Sequence, residues 1–153
     1  MSMIETKLTE MGITLPDAPA PAANYVPYVQ TGNQVWVSGQ ISQGPDGLII
    51  GKLGDGVDIE TGAAAAKACA ISLLAQLKKA CDGDLDRLVR VVKLVGMVNC
   101  TPDFTDQPRV INGASDFLVA ALGDKGHHAR SAVGVASLPL GVMVEIEAVF
   151  EIA

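Results

Sequence analysis

Arg130 opens an apolar run directly after Gly126-His-His-Ala129. An arginine at a strand mouth presents a planar, permanently charged fork that can hold a carboxylate through two parallel hydrogen bonds. The same placement also fits a solvated arginine at a strand end. Further on, Glu145 and Glu147 alternate with Val144, Ile146 and Ala148. Residues two apart share a strand face, so both carboxylates point the same way, opposite Ile146. On a solvated face they do no chemistry. Inside a pocket, burial raises a carboxyl pKa and equips the group to move a proton. The spacing does not say which carboxylate that is. His127 and His128 diverge in an extended chain and lack acids at ligand spacing, so they read as loop residues rather than a metal pair. Ser38 precedes Gly39 without the GxSxG context of a nucleophile elbow. Tyr25 and Asn112 belong to no motif of their own. Cys69, Cys81 and Cys100 are odd in number and form no CxxC, which predicts small buried core residues rather than a disulfide framework or a metal site.

The elements that must position these groups follow from periodicity. Ser2 to Met11 predicts a short helix, with Ser2 and Glu5 at capping-box spacing and Gly12 as its stop. Residues 15–24 are rich in Pro and Ala and predict an extended connector. Tyr28 to Thr31 and Gln34 to Gln40 predict a hairpin across Gly32-Asn33, with Val35 and Val37 on one face and Trp36 and Ser38 on the other. Gly44-Pro-Asp-Gly47 is a turn, followed by a short strand over Leu48 to Ile50. The glycine-rich stretch Gly51 to Val57 fits neither GxxxxGK[ST] nor GxGxxG and is not a phosphate loop. Asp58 or Thr61 caps a long helix to about Cys81, whose many alanines allow close approach to a sheet. Leu88 to Val98 is apolar and β-branched, as expected of a central strand covered on both faces. A second helix over Gln107 to Leu122 and strands over Ala129 to Ala136 and Val142 to Ile152 complete the chain. This order predicts an α+β fold, one mixed sheet with two helices on a single face.

The whole chain bounds the function further. Its 153 residues fit one domain, and 49% hydrophobic against 18% charged residues reads as globular. Eleven Lys and Arg against 17 Asp and Glu give a formal charge of −6, with no basic run, which disfavours a nucleic-acid partner. The start lacks a basic and apolar leader, and the most apolar stretch, Ala63 to Leu77, is too short and too interrupted to span a bilayer. A cytoplasmic location is expected.

Two segments give the chain a resemblance to a known family. One is Ala129-Arg-Ser-Ala-Val-Gly-Val-Ala-Ser-Leu-Pro-Leu-Gly-Val-Met-Val-Glu-Ile-Glu-Ala148. The other is Gly32-Asn33 followed by Val35-Trp-Val-Ser-Gly-Gln-Ile41. Together with the element order, they resemble the RidA/YjgF family of enamine/imine deaminases over roughly residues 24 to 152. The resemblance implies a chorismate-mutase-like fold, here with an added N-terminal helix, in one domain over residues 1–153. It also implies a homotrimer with ligand clefts between adjacent subunits.

In the deaminase members an arginine matching Arg130 grips the carboxylate of a 2-imino acid. An acid matching Glu145 helps to position water and move protons. Tyr25, Ser38, Gly39 and Asn112 match other pocket positions. The implied reaction hydrolyses a 2-imino acid to a 2-oxo acid and ammonia, without metal or organic cofactor and without nucleic acid or membrane as partner. Ala132 stands where those deaminases usually carry a cysteine, and the stretch from Gly44 to Val57 is of unusual length. A non-catalytic binder of 2-oxo acids or related metabolites, using the same clefts, is the alternative. The ribonuclease label carried by some relatives fits the acidic charge poorly.

Overall fold

The computed structural model describes residues 1–153. Helix α1 (Met3–Glu10) begins where the Ser2 hydroxyl accepts from the Glu5 N–H at 3.0 Å. Asp86, remote in sequence, accepts from the N–H groups of Met3 and Ile4 at 2.8 and 3.1 Å. Free N–H groups at a helix start need such acceptors, so α1 is fastened to the turn before Leu88 while burying Ile4 and Leu8.

The main sheet has strand order β1-β2-β7-β5-β6, using β1 (Tyr28–Thr31), β2 (Gln34–Ile41), β5 (Leu88–Asn99), β6 (Ala129–Val135) and β7 (Val144–Ile152). All neighbours are antiparallel except β5 and β6, which run parallel and are joined through α3 (Gln107–Leu122). The turn at residues 44–47 closes a small separate hairpin, β3 (Gln43–Gly44) with β4 (Gly47–Leu48). The strand expected over Leu48 to Ile50 shrinks to this pair plus one bridge from Ile50 to Val142.

Helix α2 (Ile59–Ala80) is capped by Asp58, which accepts from the Thr61 N–H at 2.7 Å, so Asp58 is the cap and Thr61 lies in the first turn. Ala65, Ala66, Ala70, Leu73 and Leu77 are fully buried on its sheet side. The two long helices lie close enough that a side chain at Gly113 would place its Cβ 2.0 Å from the Ala63 carbonyl oxygen. Only a residue without a Cβ permits this contact, which fixes α3 against α2. All three cysteines are buried and unpaired.

Burial along β7 alternates strictly. Val144, Ile146, Ala148, Phe150 and Ile152 are buried under the helices, whereas Glu145, Glu147, Val149 and Glu151 face away. Strand β5 corrects one expectation. Its Leu88, Val91, Leu94 and Val98 are buried on the helix side, but Val95 and Met97 on the opposite face are only half-covered. The apolar run is therefore covered on one face within a single chain. Across that open face Val29, Trp36 and Val133 are 54%, 52% and 46% exposed.

Candidate functional site

The expected site residues fall into two groups. The first lies where β2 meets β7. Val37 pairs with Ala148 but Gln40 pairs with Ile146, so β2 carries one extra residue at Ser38-Gly39. This bulge re-aims the strand and opens space over Glu145. A Cβ at Gly39 would lie 2.2 Å from Glu145 Oε2 and 2.9 Å from its Cδ. The carboxylate thus packs directly on the glycine backbone. Burial pushes the Glu145 carboxyl above its usual range, and the neighbouring Glu147 charge adds to the effect. Of the two candidate carboxylates Glu145 is half-buried and Glu147 is exposed.

Ser38 ties the connector to this bulge. Its hydroxyl donates to the Val26 carbonyl at 2.8 Å, and its N–H donates to the Pro27 carbonyl at 2.9 Å. The connector so held carries Tyr25 over a cleft of about 90 Å³ that Pro27, Gly39 and Ile41 also line. The serine proton is engaged, leaving lone pairs for any further partner.

The second group lies where β6 meets α3. Arg130 Nη1 donates to Ser115 Oγ at 3.0 Å and Nη2 donates to the Pro108 carbonyl at 3.1 Å. Both anchors sit on one stripe of α3, and Asn112 lies between them on the same stripe at helical spacing. A guanidinium has five N–H donors; two are used, which leaves three for a ligand. Pinned at both nitrogens, the fork loses little further freedom on binding. Ala132 lies two residues on, on the same strand face, and is half-buried.

Sequence reasoning passed over two members of this group. His128 Nδ1 is 2.6 Å from the Gly126 carbonyl, and its Nε2 is 2.8 Å from Ser115 Oγ. A carbonyl only accepts, so Nδ1 carries the proton and Nε2 of the neutral ring accepts from the serine hydroxyl. Burial lowers the His128 pKa; the hydrogen bond to Gly126 opposes this, and the charges of Arg130 and His127 act with burial. The signal was present in the spacing. His128 lies two residues before Arg130, the spacing that puts extended-chain side chains on one side, and Ser115 is a polar residue between buried Ala114 and Phe117 on its helix. With Asp116, Val119 and His127, these residues line an open cleft of about 580 Å³.

The two groups do not meet within one chain. Arg130 points to the helix side of the sheet and Glu145 to the opposite side, with β5 between their strands. A larger groove, about 850 Å³, lies elsewhere, between residues 12–20 and the Ala68, Ile71 and Ser72 side of α2. No three His, Cys, Asp or Glu side chains gather to hold a metal ion. No helix is long and apolar enough to cross a membrane.

Comparison with known proteins accounts for this architecture. Residues 5–151 match the family model described as "YjgF/chorismate_mutase-like, putative endoribonuclease". Protein TCP17 of Trypanosoma cruzi is 48% identical over 151 residues, covering 97% of this chain and 94% of that protein. The crystal structure of Atu1372 from Agrobacterium tumefaciens superposes with a TM-score of 0.90 at 46% identity, over 98% of this chain and 94% of that one. RidA from the Antarctic bacterium Psychrobacter sp. PAMC 21119 gives a TM-score of 0.62 at 30% identity, over 89% and 94% of the two chains. The mixed five-stranded sheet with its helices packed on it is the fold of that family, and the chain belongs to the YjgF/chorismate mutase-like (RidA) family.

Proposed function

We propose that the protein is an enamine/imine deaminase, hydrolysing 2-imino acids to 2-oxo acids and ammonia in clefts formed between copies of the chain. The observation that carries this reading is the Arg130 fork, pinned by α3 with three N–H groups left over. Such a fork suits a small carboxylate.

The chemistry asked of the protein is modest. A protonated imine is already electrophilic, so catalysis needs a fixed substrate, a placed water and a proton carrier. Arg130 holds the substrate carboxylate, with Asn112 beside it on α3. Glu145, its carboxyl pKa raised, takes a proton from water as the oxygen attacks the imine carbon. It returns that proton to nitrogen and takes up the carbinol hydroxyl proton as the C–N bond breaks and the C=O bond forms. Tyr25 shapes the pocket wall over Gly39, and the backbone at Gly39 and Ala132 supplies polar contacts.

The two halves face opposite sides of one sheet, so a complete cleft requires the Arg130 half of one copy against the Glu145 half of another. The open apolar face around Trp36 and Val133 favours such association, because exposed apolar patches mark contact surfaces. The family resemblance implies three copies. A cytoplasmic location accords with three buried free thiols.

The test is ammonia release from freshly generated 2-aminoacrylate or 2-iminobutyrate. The wild type should exceed the buffer rate, with Arg130→Ala and Glu145→Ala reduced to it; a wild type no faster than buffer refutes the reading. Ala132 favours a second reading, a 2-oxo acid binder, because no thiol stands beside the arginine. Saturable 2-oxobutyrate binding lost in Arg130→Ala, without turnover of any imine, would establish that reading instead. The ribonuclease description of the family model fits less well, since a formal charge of −6 offers little to a phosphate backbone.

A further inference from the structure

We propose that Ser115 and His128 are positioning residues for Arg130, and that carboxylate binding at this edge is accompanied by proton uptake on His128. The inference rests on the carboxylate site proposed above. It starts from a directional chain of hydrogen bonds. Arg130 Nη1 donates to Ser115 Oγ, the Ser115 hydroxyl donates to His128 Nε2, and His128 Nδ1 donates to the Gly126 carbonyl. A serine in a helix interior ordinarily turns its hydroxyl back to the carbonyl four residues earlier. Ser115 makes no such bond, and its hydroxyl is hydrogen-bonded to His128 and Arg130 instead.

The chain gives each member a task. Gly126 fixes the imidazole tautomer, and the imidazole fixes the serine proton. The serine lone pair is thereby left for the guanidinium. With the Pro108 carbonyl on Nη2, Arg130 is held at two points before any ligand arrives. Without Ser115 the fork keeps its charge but loses one of those two anchors, so a loss of affinity without loss of fold is expected.

The proton coupling follows from charge. His128 lies one serine oxygen away from a permanent cation, which disfavours the imidazolium. A bound carboxylate neutralises that cation and restores part of the proton affinity. By linkage, a ligand that raises the pKa of a group binds more tightly as pH falls from the liganded pKa towards the free one. Each pKa unit restored amounts to about a tenfold change in affinity. The other charged groups on the elements around His128 are Arg109 and Asp116 on α3, Asp124 and Lys125 in the preceding turn, adjacent His127, and Arg90 and Lys93 on β5. Arg109 is paired with Asp106, and of all these groups none is hydrogen-bonded to the chain, which leaves Arg130 as the charge joined to the imidazole through hydrogen bonds.

The experiment titrates 2-oxobutyrate, ionised throughout, into the intact protein by calorimetry from about pH 8 to about pH 5.5, the range in which histidine changes charge. Wild type and His127→Gln should bind several-fold more tightly at the acid end. His128→Gln, which retains a neutral acceptor for Ser115, should show a flatter profile. Ser115→Ala should bind several-fold more weakly at every pH, and Ser115→Thr should restore binding. The same comparison in a Glu145→Gln background removes the contribution of the carboxyl proposed to face the same cleft. A His128→Gln profile as steep as that of the wild type overturns the coupling. Undiminished binding by Ser115→Ala overturns the positioning role.

A ligand-free readout separates this inference from the site proposal. Imidazole nitrogen NMR should show His128 as the Nδ1–H tautomer, and Arg130→Ala should raise its pKa. If 2-oxobutyrate fails to bind the wild type, the carboxylate site itself is refuted. If it binds while Arg130→Ala leaves the His128 titration unchanged, the coupling alone fails.

Discussion

Mixing two inactive variants tests the division of the site directly. Arg130→Ala removes the half on β6 and α3, and Glu145→Ala removes the half on β2 and β7. The two side chains leave opposite faces of the sheet, so the proposed cleft draws one half from each of two copies. In oligomers assembled at random from equal amounts, the Arg130 half is intact with a probability of about one half. The facing Glu145 half is intact with the same probability, and about one quarter of clefts are complete. This fraction holds for any closed ring in which every copy contributes both halves, so it does not depend on the number of subunits. Each variant alone should fall by about 100-fold or more, the usual scale for losing a positioned acid–base group or substrate anchor. The assay is ammonia release from 2-iminobutyrate after co-expression, with native mass spectrometry to establish that mixed oligomers formed. Recovery to about a quarter of the wild-type rate per chain is expected. No recovery in demonstrably mixed oligomers would refute the shared cleft.

Three further outcomes follow from close contacts and burial. In Gly39→Ala the new methyl starts 2.2 Å from Glu145 Oε2. The carboxylate must retreat by more than about 1 Å to reach normal contact, which predicts a kcat loss on the order of 100-fold with folding stability changed by about 1 kcal/mol or less. Parallel kinetics and denaturant titration check both halves of that statement. For Glu145→Gln, the sign follows from a folded-state pKa raised by burial. Stability from Glu145 is present at pH below its unfolded value and is lost as pH rises through the folded pKa, so the ionised form is the strained one. The glutamine variant should therefore melt higher than wild type at alkaline pH, with the gap closing on acidification in a thermal-melt series. Gly113→Ala should lose about 1–3 kcal/mol or more by urea unfolding, since its Cβ would lie 2.0 Å from backbone at Ala63 that cannot yield as a side chain does.

The elements were legible wherever one physical signal dominated. The alanine-rich periodicity of α2, the Ser2 cap and the alternation around Ile146 each predict the structure found. Less local matters were not legible. The apolar run of β5 reads as a strand covered on both faces because periodicity reports hydrophobicity, not what covers it; within one chain one face stays open. Glu145 and Glu147 are equivalent by spacing, and only the bulge at Ser38-Gly39 on the neighbouring strand distinguishes them. Ser115 and His128 belong to different elements, so their contact depends on how α3 crosses β6. His128 lies in the loop before β6, as its sequence context indicates, but it is half-buried there and hydrogen-bonded at both ring nitrogens.

The extra residue at Ser38-Gly39 also acts as a phase-setter for the amino-terminal edge of the sheet. Before it, odd-numbered Val35 and Val37 face the helices; after it, even-numbered Gln40 does. Deleting Gly39 while the carboxyl-terminal pairing held would invert the parity of everything upstream in β2. Trp36 would then turn into the core, and Val35 and Val37 would turn out of it. Insertions should be absorbed in the connector over residues 15–24 or the loop over residues 51–57. The length between Val37 and Gln40 is different. There, a change of a single residue at the rim of a surface cleft would be read by the interior as a change of frame.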